Sequence, residues 1–127
     1  MNGDDTRALA QRFFDAVENG DVEALRGIYA PDAVIWHNTD ELETTVADNL
    51  QVLAGFVKRI SGRRYRDRRV QVFDTGFVQQ HVLHGVRADG VAVTLPACLV
   101  CLVKDGRITR LDEYFDSAHV AAFRAAT

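Results

Sequence analysis

DGRITRLDEYFD, residues 105 to 116, is the stretch whose reading decides the fold of this chain. Asp105-Gly106 is a turn signal, and the residues after it alternate with a two-residue period. A strand in that register sets Leu111, Glu113 and Phe115 on one face and Asp112, Tyr114 and Asp116 on the other. Leucine and phenylalanine flank Glu113, so its face is the apolar one. A carboxyl group in such surroundings is costly to ionise, the property a general acid or base needs near neutral pH. The alternative is a strand at a sheet edge, with Glu113 solvated.

Upstream of this strand, RYRDRRVQVFD (64–74), FVQQHVLHGVRA (77–88) and VAVTLPACLVCLV (91–103) also read as strands, separated at Gly76 and Asp89-Gly90. Successive strands joined by glycine-containing turns predict an antiparallel meander. Pro96 inside one of them predicts a bulge or an edge. The period changes before residue 60. Leu9, Phe13, Ala16 and Val17 mark a first helix that ends at Asn19-Gly20, and Asp21 caps a second, DVEALRGIYA. AVIWHN (33–38) is a short strand, and Val46, Leu50, Leu53, Val57 and Ile60 mark a third helix. SAHVAAFRAAT (117–127) forms a short terminal helix. Helices gathered ahead of a sheet give an α+β class, in one domain spanning residues 1–127.

Composition narrows the function classes. A net charge of −3 gives no general attraction to nucleic acid or to anionic membranes. No apolar run approaches the ~20 residues of a membrane span, and MNGDDTRALAQRFF is too acidic and polar for a secretory signal. Cys98 and Cys101 point to opposite faces of a strand, so unless a bulge or a turn falls there they share neither a metal nor a disulfide. Two free thiols fit a reducing cytoplasm. The dense run Arg63, Arg64, Arg66, Arg68 and Arg69 reads as a solvated face paired with Asp67 and acidic neighbours.

Three stretches carry a family resemblance: ALAQRFFDAVENGDVEALRGIYAPDAVIWHN, the hairpin around RADG, and DGRITRLDEYFD with the helix after it. In these the chain resembles the NTF2-like superfamily, in its SnoaL-like branch of polyketide cyclases and limonene epoxide hydrolase. The resemblance implies a cone-shaped fold, with three N-terminal helices on a strongly curved, mostly antiparallel sheet and a short C-terminal helix. It also implies a homodimer formed through the sheet. Glu113 falls where cyclases and the hydrolase place a catalytic aspartate. Trp36 and Asn38 match the tyrosine and asparagine that help the hydrolase hold water, while the hydrolase's arginine has no counterpart on the strand carrying Gln80, Val82 and His84. Ketosteroid isomerase is similar in fold only. Its proton-shuttling aspartate corresponds to His37, its oxyanion tyrosine to Phe13 and its oxyanion aspartate to about Cys98 or Leu99, so that activity is excluded.

If Asn38 faces a cavity, so does Trp36, and His37 lies behind them. His84 shares a face with Val82 and Val86 and is a candidate cavity histidine or a bonded core histidine. His81, with Gln79 and Leu83, suits sheet surface or an interface. No histidine pair has metal-ligand spacing, so neither metal nor cofactor is expected. The expected site therefore has Glu113 as proton carrier, with Asn38 and His84 assisting. Its apolar lining comes from Trp36, Phe13, Phe14, Leu53, Phe56, Val57, Val82, Leu95, Leu111 and Phe115. Such a pocket suits a small hydrophobic ligand and cofactor-free hydrolase, lyase or isomerase chemistry. The alternative is a non-catalytic binding or dimerisation module on the same fold.

Overall fold

Reciprocal caps start both long helices. Asn2 accepts the Asp5 N–H and Asp5 accepts the Asn2 N–H, opening α1 (Gly3–Glu18); Thr45 and Asp48 do the same for α3 (Val46–Arg59). The computed structural model describes residues 2–125; Met1 and the last two positions expected in the terminal helix, Ala126 and Thr127, lie outside them. The second helix is shorter than its sequence suggests. A 3₁₀ turn, Val22–Ala24, leads into a single α turn, α2 (Leu25–Ile28), and Tyr29 already begins β1 (Tyr29–His37). Gly27 is a poor helix former, and Pro31 pushes Ala30 toward extended backbone. After the two-residue strand β2 (Glu43–Thr44) and α3 come β3 (Ile60–Phe73), β4 (Gly76–Arg87), β5 (Ala92–Lys104), β6 (Arg107–Phe115) and α4 (Ser117–Arg124).

The four long strands form the expected meander, but the sheet as a whole is mixed. Its order is β2-β1-β6-β5-β4-β3, and β1 runs parallel to β6 while the other neighbours are antiparallel. The strongly curved cone implied by the resemblance is not formed. The sheet is open, with β2 and β3 at opposite edges and no pairing between them, and α1 and α3 occupy the face that a tighter curl would close.

Turn chemistry explains the hairpins. Asp105 and Gly106 both have positive φ, 52° and 77°, as a two-residue β5–β6 loop requires. Gly76 starts β4 where a Cβ would lie 1.8 Å from the Cys101 carbonyl oxygen, so only glycine lets the strands approach. Pro96 causes no bulge in the β4–β5 ladder, where it sits opposite Val82. Pairing with β6 begins one residue later, at Ala97↔Phe115, so the β6 side of β5 is locally an edge at Pro96.

Two irregularities in β3 govern its arginines. Register shifts fall between Ser61 and Arg64, around Gly62 (φ 60°), and between Arg66 and Arg69, around Asp67 (φ 57°). They break strict alternation and turn Arg63, Tyr65 and Arg68 all toward the helices. The basic run is therefore only partly the solvated face expected. Arg68 pairs with Asp15 and Glu18 on α1, at 2.9 and 3.1 Å. Arg63 joins the ends of two helices, donating to the Val17 and Glu18 carbonyls at 3.2 Å each, to Val57 at 3.1 Å and to Ile60. These are carbonyls at or near helix C-termini, which lack partners within the helix.

Arg63→Met is expected to lower unfolding stability by about 2–4 kcal/mol, because charge-assisted hydrogen bonds are lost and half-buried carbonyls are stranded. Urea denaturation measures it. Arg63→Lys should recover only part, since an ammonium cannot span both helix ends.

Candidate functional site

The parallel register of β1 and β6 builds the polar centre of the site. It sets His37 directly beside Glu113, just as Ile35 lies beside Leu111. Both side chains point to the helix-covered face, and His37 Nε2 lies 3.2 Å from Glu113 Oε1. Phe115 stacks on the imidazole at 5.5 Å with ring planes 11° apart. The pair is enclosed but not sealed, the His37 and Glu113 side chains being 25% and 18% exposed.

A cavity of about 240 Å³ opens over this pair, between the sheet and α1, α3 and α4. Phe13, Phe14, Leu53, Phe56, Leu95, Leu111 and Phe115 line it, together with Leu83, Leu99 and Phe123. Its polar wall consists of Tyr29, Asn49 and Tyr65 besides His37 and Glu113, and Thr39, Asp40, Asp48, Arg59 and Arg124 stand around it with exposed surfaces. A more open depression of about 330 Å³ on the opposite sheet face has no such enclosure.

Several candidate residues lie elsewhere. Trp36 is on the outer face, edge-on to Tyr114 at 5.2 Å, because His37 and not Trp36 shares the parity of buried Ala33 and Ile35. Asn38 is not among the residues that line the cavity. Its amide clips the end of β6, donating to the Phe115 carbonyl at 3.1 Å and accepting the Phe115 N–H at 3.0 Å. Val82 lines the outer depression, and His84 shares its parity on β4. Val57 points toward Gly20 at the α1–β3 junction.

His81 also differs from expectation. It is 4% exposed and packs in the core against Phe14 and Tyr65, with ring centroids 5.1 and 4.6 Å away. His37, Tyr29, Asn49 and Tyr65 are the site residues that sequence reading missed. For His37 a signal existed in the run Ala33, Ile35, His37, where alternation alone puts it with the core residues. The inward turn of Tyr65 depends on bulges in β3 that alternation does not show.

Electrostatics mark Glu113 as the centre. Burial works against charge on His37, yet the hydrogen bond and the negative charge of Glu113 outweigh it and hold the imidazole above its ordinary 6.5. Burial also pushes the Tyr29 and Tyr65 phenols and the Cys101 thiol upward, and the charge of Glu113 adds to each. His81 goes the other way. Burial, with the nearby Arg68 charge, lowers it to about 4. The Gln79 amide approaches His81 Nδ1 at 3.0 Å, which makes Nδ1 the acceptor and leaves the Nε2–H without a partner.

With its geometry in view, the chain can be placed among known proteins. The model of the SnoaL-like domain matches residues 10–111, and the chain belongs to that family, within the NTF2-like superfamily. No curated protein matches the sequence. Among solved structures, a candidate polyketide cyclase from Xanthomonas campestris pv. campestris is 25% identical. It superposes with a TM-score of 0.84 over 96% of this chain and 98% of that one. An LEH-like epoxide hydrolase of M. tuberculosis is 18% identical, with a TM-score of 0.77 over 94% and 88%. A candidate isomerase from Bacillus subtilis is 15% identical, with a TM-score of 0.85 over 100% and 98%. The two more distant likenesses speak to fold alone. Among the described residues no helix is long and apolar enough to cross a membrane.

The two histidines make opposite contributions to stability as pH changes. His81 stays neutral in the fold down to about 4, whereas in the unfolded chain it protonates near its ordinary 6.5. Its contribution is full above 6.5 and is lost as pH falls toward 4, by about 3 kcal/mol. His37, raised in the fold, contributes below 6.5 and loses that contribution as pH rises through its folded value. Urea titrations between pH 4 and 8 are therefore expected to show His81→Leu flattening the acid limb. Glu113→Gln should move the His37 titration, followed by NMR, to lower pH.

Proposed function

We propose that this protein binds a small hydrophobic molecule and acts on it by acid–base chemistry without a cofactor, as a hydrolase, lyase or isomerase, with Glu113 carrying the proton. One observation supports this above all: Glu113 Oε1 is 3.2 Å from His37 Nε2 at the polar centre of an otherwise largely apolar cavity. In this reading the two residues have distinct tasks. His37 donates from Nε2 to one carboxylate oxygen, fixing the carboxylate and offsetting its charge. The other oxygen is free to take a proton from a substrate C–H bond or from an attacking water, and to return it later. His37 replaces Asn38 and His84 as the partner of Glu113 in this scheme. That enzymes of this general type occur in the superfamily agrees with the proposal.

Glu113→Gln preserves shape and removes the titratable proton. Assayed on a panel of small apolar epoxides, alcohols and ketones, turnover should fall by a factor on the order of 10² to 10⁴ with little change in affinity. Unchanged turnover in the glutamine variant would remove Glu113 from the chemistry.

The outer sheet face is the proposed homodimer surface. Leu102 and Tyr114 are 38% and 46% exposed there, beside Trp36, Val100 and Cys98, with no helix over them. Sedimentation at micromolar concentration should give twice the 14.1 kDa chain mass, and Tyr114→Lys should shift it toward monomer. The free thiols Cys98 and Cys101 suit the reducing cytoplasm, which is the proposed location.

A further inference from the structure

The Glu113–His37 pair does not use every polar group in the cavity. Tyr65 reaches it from β3, turned inward by the bulges on either side, with its ring fixed by Phe14 at 5.0 Å and His81 at 4.6 Å. Its backbone N–H donates to Glu18 Oε1 at 2.6 Å, so the residue is held at both ends. Its hydroxyl has no hydrogen-bond partner among the described residues. It is not sealed in protein either, since the one polar side-chain atom both sealed and unpartnered there is His81 Nε2. The hydroxyl therefore keeps accessible surface, on a side chain that lines the cavity.

Tyr29 is different. Its hydroxyl donates to Asn49 Oδ1 at 2.8 Å and is already committed. That bond orients the Asn49 amide so that its oxygen is used and its NH₂ group remains a donor in the cavity wall. The wall thus carries Tyr65 O–H and Asn49 N–H donors beside the acceptor-rich carboxylate of Glu113.

We infer that Tyr65 is a specificity-determining residue, whose free hydroxyl selects apolar ligands that carry an acceptor oxygen such as a ketone carbonyl. This rests on the proposal that the cavity binds a small hydrophobic molecule. A ligand with no acceptor would fill the space but leave the hydroxyl stranded against apolar surface, whereas a carbonyl would pair with it. Burial, with the charge of Glu113 adding to it, holds the phenol above its ordinary value, so it remains a protonated donor near neutral pH. Phe13, Leu53 and Phe56 would hold the ligand's apolar body. A carbonyl bound at Tyr65 in the cavity that Glu113 also lines would have its neighbouring C–H bonds acidified, the chemistry a carboxylate base requires.

The test compares 1-tetralone with tetralin, which match in shape except for the ketone oxygen, by NMR-monitored titration of the full chain and of Tyr65→Phe. Tyr65→Phe should weaken 1-tetralone binding about five- to tenfold, the usual value of one buried hydrogen bond, and leave tetralin binding unweakened or tighter, because the stranded hydroxyl is gone. Equal weakening of both ligands, or of neither, overturns the assignment of Tyr65 while leaving cavity binding intact. Binding of neither ligand by the unaltered protein, with Glu113 and His37 resonances unmoved, overturns the cavity proposal itself and this inference with it.

Discussion

Parallel pairing of β1 with β6 is the constraint on which the rest of this structure depends. It joins the N-terminal part of the chain to the last strand of the meander, and it does so in one register. Ile35 then lies beside Leu111 in the core, and His37 lies beside Glu113 at the cavity. A slip of one residue would turn Trp36 inward and send His37 out, separating the acid from its partner. The Asn38 clip on Phe115 guards against that slip at the end where the two side chains meet. Ile35 buried completely, one alternation earlier, guards it at the other.

Arg63 has a similar part on the opposite side of the cavity. The C-terminal ends of α1 and α3 converge on one guanidinium, so the two helices that carry Phe13, Phe14, Leu53 and Phe56 are joined by a single side chain. A cavity wall made of separate helices needs such a tie, because an unfilled space offers the walls no contacts to hold them apart or together. The nearby Arg68 pairs with Asp15 and Glu18 and adds a second connection from the same strand.

Much of the fold was legible because it depends on local pattern. Helix caps, the change from helical to alternating periodicity, and the Asp-Gly turns are written in adjacent residues, and α1, α3 and the meander follow from them. Glu113 could be placed toward the apolar face on the same grounds. What was hidden depends on contacts between distant segments. Trp36 matches the family motif, whereas the parity of Ala33, Ile35 and His37 places His37 inside. His81 has the alternation of a sheet-surface residue, yet Phe14 of α1 packs over it. The bulges around Gly62 and Asp67 break the period that makes a strand readable, so the inward course of Arg63 and Tyr65 was not foreseeable from alternation. The open sheet in place of a cone has the same origin, since curvature is set by how strands pair and what packs against them.

The Asn38 clip bears also on how a ligand would enter. It ties the last residue before the 39–42 segment to the end of β6, and the Glu41 N–H bonds the His37 carbonyl just beyond, so this side of the rim is a fixed doorpost. The facing side is α4, a helix of eight residues that follows directly from the clipped strand and covers the cavity with Val120, Phe123 and Arg124. Its hold on the sheet includes the His119 contact to the Thr94 carbonyl and the Arg87 bond to the Ala122 carbonyl. With Phe123 buried among Ile60, Leu83, Val93 and Leu95, those two contacts pin α4 to the sheet, so the opposite jamb is as firmly set as the first.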